Sequence, residues 1–98
     1  MMREKTLENK IKKHLQKNGH YYIKISASVT MRSGLPDIIS CIFGAFVSFE
    51  IKNPNGKGIL SKLQKAHIKM IKDAKGHAFV ISNWDEYLKI YERIINAV

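Results

Sequence analysis

The sequence predicts an α/β fold, with helices and strands in the order α-β-β-β-α-β-α. Three segments carry apolar residues at helical spacing, and four short runs are rich in β-branched and aromatic residues. The chain has 98 residues, 45% of them hydrophobic, with two prolines and six glycines. This composition allows one small core, so we expect a single domain over residues 1–98 and no long disordered segment.

Seven elements are assigned from these patterns. They are a helix over residues 3–18, strands over 20–26, 37–43 and 45–52, a helix over 61–75, a strand over 78–82 and a helix from residue 84. The first helix is predicted because Leu7, Ile11 and Leu15 share one helix face and Gly19 provides a C-terminal stop. Gly44 separates the second and third strands, as is expected of a β-hairpin.

The two later helices have recognisable ends and apolar stripes. Ser61 can cap the second helix and Gly76 can stop it, while Asn83 can cap the last helix. We expect the second helix to bury Leu63, Ala66, Met70 and Ala74. The last helix has a broader stripe, formed by Trp84, Tyr87, Leu88, Tyr91, Ile94 and Ile95. So small a domain is expected to leave part of that stripe exposed, which makes the last helix a candidate dimer interface.

The charge distribution points to a polyanionic partner. Seventeen basic residues against eight acidic ones give a formal net charge of +9, and nucleic acid is the first candidate for a partner. Between residues 9 and 72, twelve basic residues accompany only two acids, Asp37 and Glu50. Because solvated surfaces normally mix both signs, two isolated carboxylates in a basic region indicate a specific role.

The hydropathy pattern, the single cysteine and the histidines indicate where the protein is located and which kinds of site it lacks. No run approaches the roughly 18 apolar residues of a membrane span, and the N-terminus is charged from Arg3 onward, so we expect a cytoplasmic protein with no membrane contact. The single cysteine, Cys41, cannot form an internal disulfide, and we expect it in the inert core of a buried strand. The four histidines show no metal-ligand spacing, and surface or edge positions are expected for all of them.

The hairpin brings the isolated carboxylates together if its turn is two residues long. With Phe43 and Gly44 in the turn, Asp37 lies opposite Glu50, and cross-strand Cβ atoms in such a pair are about 5 Å apart. Lys52 then shares a strand face with Glu50. Another turn length would slip the register and scatter the three side chains.

Two carboxylates this close call for a cation between them. A hard divalent ion such as Mg²⁺ binds one or two carboxylates together with waters and phosphate oxygens, and it activates a bound water for phosphodiester hydrolysis. Lys52 would orient that water or neutralise charge on phosphorus. In the alternative interpretation, Asp37 caps a strand, Glu50 and Lys52 form an ordinary ion pair, and the chain is a non-catalytic basic DNA-binding module.

These residues resemble a known nuclease motif. Gly34-Leu35-Pro36-Asp37, followed by Glu50-Ile51-Lys52, resembles the PD-(D/E)xK nuclease superfamily. The chain is also similar to the virus-type replication-repair nuclease domain, VRR-NUC, which occurs as small proteins of phages. That closer resemblance is carried by Glu8, Arg32, Gly34, Leu60-Ser61 and Gln64.

The resemblance implies a restriction-endonuclease-like αβββαβ(α) core, with a small mixed sheet flanked by helices. The implied catalytic set is Asp37, Glu50, Lys52, Glu8 and Gln64. The implied ligands of Mg²⁺ or Mn²⁺ are Asp37, Glu50 and the carbonyl of Ile51. On helix spacing alone, Glu4 competes with Glu8 for the inward position. The implied reaction is cleavage of DNA, including branched DNA such as four-way junctions. A homodimer is expected on separate grounds, because a symmetric pair could place two sites on two strands and would cover the last helix.

Several basic residues are candidates for DNA contact. Lys62, Lys65, Lys69 and Lys72 fall on one face of the second helix, which in the alternative interpretation is simply solvated. The predicted DNA-backbone contacts are Arg32, Lys57, Lys62, Lys65 and Lys69. None of these residues is predicted to read base sequence.

Overall fold

The computed structural model describes residues 3–26, 34–53 and 59–97. Its elements follow the predicted order, which confirms the fold class. They are α1 (Glu4–Lys17), β1 (Tyr21–Lys24), β2 (Ile38–Ile42), β3 (Ala45–Ile51), α2 (Lys62–Asp73), β4 (His77–Ile81) and α3 (Trp84–Ala97). Two predicted DNA contacts, Arg32 and Lys57, lie outside the described residues.

The strands form one mixed sheet in the order β1-β2-β3-β4. β2 pairs antiparallel with both β1 and β3, whereas β3 and β4 are parallel. Parallel neighbours need a long crossover connection, and α2 lies within the crossover between β3 and β4. The three helices flank this sheet, as the α/β prediction requires.

The β2–β3 hairpin turns over Phe43 and Gly44, as predicted. Their φ angles are 48° and 85°, so both residues adopt the left-handed conformation of a type I′ turn, whose twist matches that of the two strands. Gly44 adopts this conformation freely, while Phe43 does so at a steric cost. The observed pairs run from Ile42 opposite Ala45 to Ile38 opposite Phe49. The register that brings the carboxylates together is therefore present.

The main core lies where α1 and α3 pack on one side of the sheet. It consists of Leu7, Ile11, Leu15, Ile38, Ile42, Val47, Phe49, Ile51, Ile81, Tyr87 and Ile94. The α1 stripe is the predicted one, and Tyr87 is fully buried. Burial of each large apolar side chain contributes about 1.5–3 kcal/mol, so this layer holds the sheet that carries the site.

Two histidine–tyrosine hydrogen bonds join the α1 region to α3. His14 Nδ1 lies 2.8 Å from Tyr87 Oη, and His20 Nε2 lies 2.7 Å from Tyr91 Oη. Burial lowers the pKa of both imidazoles, because it disfavours the charged form of each ring. His20, for which a surface or edge position is expected, directly precedes the edge strand β1 but is buried, because the aromatic stripe of α3 packs against it.

The buried face of α2 differs from the predicted one. Leu63 and Met70, from the predicted stripe, are 54% and 49% exposed. The inward face instead carries partly buried Gln64, His67, Ile68 and Ile71. α2 lies over the side of β3 that carries the polar residues Ser48 and Glu50. Because this side of β3 is polar, the face of α2 that includes Gln64 packs against it, and the more apolar face of α2 points outward.

The most exposed large apolar side chains lie outside α3. The large side chains of α3 pack against the core, but only Tyr87 and Ile94 of the predicted stripe are buried and the others are partly buried, so a dimer interface on α3 stays a prediction. Among the described residues, the exposed large apolar side chains are Tyr21, Ile23, Phe43, Phe46, Ile59, Leu63, Met70 and Val80. Cys41 is also exposed rather than buried, because alternate residues of β2 face the core and Cys41 points to the opposite side.

Within the described residues, no helix is both long enough and apolar enough to cross a membrane.

Candidate functional site

Asp37 lies between Pro36 and the start of β2, where it is tied to β3 twice. Its backbone N–H donates to the carbonyl of Phe49 at 3.1 Å, and its Oδ2 accepts from the N–H of Ile51 at 2.7 Å. Asp37 therefore lies at the end of the regular pairing between β2 and β3. The carboxylate of Asp37 contacts the backbone of β3, the strand that carries Glu50. The strand-capping contact of the alternative interpretation is thus present.

Glu50 occupies the side of β3 that faces α2 and is only 6% exposed. Its Oε1 accepts from Gln64 Nε2 at 2.5 Å and lies 3.5 Å from Lys52 Nζ. Burial, followed by the charge of Asp37, raises the pKa of Glu50 to about 7, although Lys52 opposes this increase. Glu50 and Lys52 are thus not an ordinary ion pair on a solvent-facing strand, as the alternative interpretation required.

Lys52 follows the last residue of β3 and is fixed at its backbone. Its N–H donates to the carbonyl of Ile81 at 2.9 Å, which holds the residue against the end of β4. Its side chain is 18% exposed and points toward Glu50, as strand alternation predicted. Asp37, Glu50 and Lys52 therefore meet at one end of the β2–β3 pair.

Gln64 connects the N-terminus of α2 to this cluster. Its backbone N–H donates to Ser61 Oγ at 3.1 Å, while its Oε1 accepts from the Ser61 N–H at 2.9 Å, forming a reciprocal capping box. Because Oε1 is held by Ser61, the amide Nε2 is directed at Glu50. The structure thus joins Gln64 to the predicted site through a motif, Ser61-x-x-Gln64, that is visible in the sequence.

Glu8 projects from α1 and is 7% exposed, whereas Glu4 is exposed. Its carboxylate lies within 3.5 Å of three lysines, which are Lys5, Lys12 and Lys24. Burial by itself disfavours the ionised form, but hydrogen bonds and charges from Lys24 and Lys5 outweigh it and hold the pKa of Glu8 below its usual value. Glu8 is therefore an ionised, fully paired carboxylate.

Lys24 is a site residue that the sequence did not reveal. Its Nζ lies 2.9 Å from Glu8 Oε1 and 4.0 Å from Asp37 Oδ1, so it joins α1 to the β2–β3 cluster. The next residue, Ile25, donates its N–H to the carbonyl of Asp37 at 2.8 Å. The available signal was period-two alternation, which puts Lys24 on the same face of β1 as the partly buried Tyr22.

Most of the chain matches a known protein family. Residues 2–92 match the family described as archaeal Holliday junction resolvase, Hjc. The chain belongs to the Hjc family. Hjc is a PD-(D/E)xK nuclease-like family, so the broader resemblance is confirmed, whereas membership of VRR-NUC is not. No curated protein and no solved structure gave a significant match.

The site of this Hjc-family chain fits a divalent cation through two carboxylates. Asp37 and Glu50 supply hard oxygen donors, and their mutual repulsion contributes to the raised pKa of Glu50. A cation placed between them would relieve that repulsion. Within residues 3–26, 34–53 and 59–97, no group of three or more His, Cys, Asp and Glu side chains is arranged to hold a metal ion. Water and substrate oxygens would therefore complete the coordination.

The predicted lysine face on α2 is exposed in this Hjc-family chain. Lys62 and Lys65 have no ion-pair partner among the described residues. Lys69 lies 2.6 Å from Asp73, one turn further along the helix, so part of its charge is already compensated. Lys62 and Lys65 are therefore the stronger candidates for contact with phosphate.

Proposed function

We propose that this chain is a structure-selective, metal-dependent endonuclease that cleaves four-way DNA junctions. The observation that carries the proposal is the meeting of Asp37, Glu50 and Lys52 at one end of β2 and β3, in a chain that belongs to a resolvase family. Gln64 joins this cluster directly, and Glu8 joins it through Lys24. The resemblance to VRR-NUC is retained only as a further proposal.

The proposed metal ligands are Asp37, Glu50 and the carbonyl of Ile51. Mg²⁺ is the proposed ion, with Mn²⁺ as a substitute, because the side-chain donors are hard carboxylate oxygens. When bound, such an ion lowers the pKa of a coordinated water and polarises the scissile phosphate.

The chain's own residues position and stabilise the reacting groups. Lys52 is held beside Glu50 by its backbone bond to β4, so its ammonium can orient the attacking water or neutralise the charge that develops on phosphorus. Gln64 fixes the rotamer of Glu50 from α2. The hydrogen bond from Ile51 holds Asp37 Oδ2 in place. These contacts preorganise the site before DNA arrives.

The DNA contacts are proposed from charge and exposure. Lys62, Lys65 and Lys69 lie on α2, the helix whose N-terminus contacts Glu50 through Gln64. A phosphate backbone that crosses this helix would therefore reach the carboxylate cluster. Arg32 and Lys57 remain proposed contacts. Binding through phosphates weakens steeply with salt and carries no base specificity.

Cleavage assays with labelled four-way, flapped and linear DNA test this function. We expect the wild-type chain to cut the four-way junction in Mg²⁺ or Mn²⁺ and not in EDTA. Asp37→Asn and Lys52→Met should each slow single-turnover cleavage at least about 100-fold, because each removes a charge that acts in the transition state. Lys89→Met is the matched control, since Lys89 is exposed on α3 and is neither in the carboxylate cluster nor a proposed DNA contact, so this variant should leave the single-turnover rate within a few-fold.

Two outcomes would contradict the proposed function. Salt-dependent binding without cleavage in any metal would make the chain a DNA-binding module. Cleavage that survives Asp37→Asn would mean that the reaction does not use this carboxylate cluster.

A homodimer is proposed as the active form, since paired sites could act on two strands of one junction. Its support is an open groove of about 450 Å³ lined by Phe46, His67, Met70, Ile71 and Ala74. Phe46 and Met70 border this groove and are 42% and 49% exposed, so they form a contiguous exposed apolar surface of the kind found at protein–protein contacts. This surface on α2 and β3 is therefore proposed as the interface, beside the earlier candidate on α3.

Light scattering tests the dimer. We expect the mass of two chains for the wild type and of one chain for Met70→Lys, because the new charge would have to be buried in the interface. Ile59→Lys is the matched control. Ile59 is 81% exposed and does not line the groove, so this variant should remain dimeric. A monomeric wild type in the presence of junction DNA would contradict the proposal.

A further inference from the structure

Lys24 lies between two acidic side chains of the site. Its Nζ is 2.9 Å from Glu8 Oε1 and 4.0 Å from Asp37 Oδ1. The side chain is 29% exposed, so its charge is partly shielded from bulk water. A lysine ammonium is a compact point charge, and one such charge here serves two carboxylates.

The surroundings of Glu8 leave it poorly suited to bind a divalent ion. Its Oε2 lies 3.3 Å from Lys5 Nζ and 3.5 Å from Lys12 Nζ, while its Oε1 faces Lys24. Both oxygens therefore already have cationic partners. A divalent ion that approached Glu8 would have to displace a lysine, at the cost of separating a partly buried ion pair.

We propose that the Lys24 ammonium occupies the position that a second divalent ion would take between Glu8 and Asp37, so that the site binds a single ion. The inference rests on the proposed metal-dependent cleavage. Two-metal phosphodiesterases hold their ions about 3.5–4 Å apart. In this chain the cation that bridges Glu8 and Asp37 is part of the protein.

This arrangement gives Glu8 and Lys24 distinct tasks. Glu8 is a positioning residue that holds Lys24, and it does not ligate metal. Lys24 supplies positive charge beside Asp37. The resemblance implied that Glu8 belongs to the catalytic set in a supporting role, and the inference makes that role the positioning of Lys24.

Counting bound Mn²⁺ tests the inference without relying on activity. The full chain, free of DNA, is titrated with Mn²⁺, and free ion is measured by electron paramagnetic resonance. We expect one ion per wild-type chain and two per Lys24→Met chain, because the substitution frees Glu8 Oε1 and Asp37 Oδ1 together. The double variant Lys24→Met/Glu8→Gln should return to one ion.

Lys12→Met is the matched control. Lys12 also contacts Glu8 and is similarly exposed, at 25%, but among the described residues it pairs only with Glu8, so this variant should keep one ion. Lys24→Arg should also keep one ion, since it retains the charge. Lys24→Gln provides the same loss of charge if Lys24→Met does not fold, as judged by circular dichroism.

Two results would overturn the inference. One is a wild-type chain that binds two ions, and the other is a folded Lys24→Met or Lys24→Gln chain that still binds one. A second readout is the dependence of wild-type junction cleavage on Mn²⁺ below saturation, which should be first order. A wild-type chain that binds no ion and cuts no junction would instead contradict the proposed function, so the two failures are distinguishable.

Discussion

Replacing Glu50 with glutamine should abolish cleavage and, without divalent ions at pH 8, increase the free energy of unfolding by about 1–3 kcal/mol. Burial and the charge of Asp37 raise the pKa of Glu50 from 4.5 to about 7. A pKa that is higher by one in the folded state than in the unfolded state corresponds to about 1.4 kcal/mol, so an ionised Glu50 destabilises the metal-free fold. Glutamine fills the same space, can accept the hydrogen bond from Gln64 and carries no charge.

The effect of Glu50→Gln should depend on pH in a defined direction. The folded pKa of Glu50 lies above the unfolded one, so between pH 4.5 and 7 the native state binds more protons than the unfolded state. This carboxylate therefore makes the wild type less stable as pH rises through that window. The stability difference between variant and wild type should be near zero at pH 4.5 and largest above pH 7.

Urea unfolding in EDTA at pH 4.5, 6 and 8 measures this difference. Glu92→Gln, at an exposed position of α3, is the matched control and should change stability by less than about 0.5 kcal/mol at each pH. Addition of Mg²⁺ at pH 8 should stabilise the wild type by mass action but leave Glu50→Gln unchanged. A variant that is less stable than the wild type in EDTA at pH 8 would show that Lys52 and Gln64 already compensate the buried charge.

The β2–β3 half of the site could be predicted because its determinants are local. A two-residue turn over Phe43 and Gly44 sets the register of the hairpin, and period-two alternation then decides which side chains share a face with Glu50. Both rules act over a few residues and are contained in the sequence. The prediction that Asp37, Glu50 and Lys52 meet used only these two rules.

The part of the site that α1, β1 and α2 contribute depends on packing between elements that are distant in sequence. Lys24 joins the site only because α1 places Glu8 over the end of β1, which no short-range pattern specifies. The orientation of α2 was similarly ambiguous. Leu63 and Met70 repeat at helical spacing, but so do Gln64, Ile68 and Ile71, and only the polar side of β3 decides which stripe packs inward.

The second large effect concerns the approach of α2 to the loop before Asp37. Gly34 has a φ of 85°, and a Cβ at this position would lie 2.6 Å from the carbonyl carbon of Leu63 and 2.7 Å from its oxygen. These are backbone atoms of the α2 turn that carries Gln64, so they cannot rotate away. Gly34→Ala must therefore separate α2 from the loop and withdraw Gln64 from Glu50.

We expect Gly34→Ala to reduce stability by about 2–4 kcal/mol and to slow junction cleavage at least about tenfold. Gly44→Ala is a matched control, since Gly44 also has a φ of 85° but its Cβ would meet no atom within 4 Å. The Gly44→Ala variant has the same cost of a left-handed backbone conformation, about 1–2 kcal/mol, but no clash between its Cβ and other atoms. It should therefore leave the cleavage rate within about twofold of the wild-type rate. Urea unfolding and single-turnover cleavage measure both effects.

Gly34→Ala and Gly44→Ala carry the same cost of backbone conformation. The difference between their cleavage rates therefore measures the effect of the contact between α2 and the loop. If α2 holds Glu50 in its reactive position through Gln64, cleavage must fall further in Gly34→Ala than in Gly44→Ala, even under conditions where both variants are fully folded. Equal rates in the two variants would mean that the carboxylate cluster is organised by β2 and β3 alone. In that case the capping box of Ser61 and Gln64 would stabilise α2 without contributing to the site.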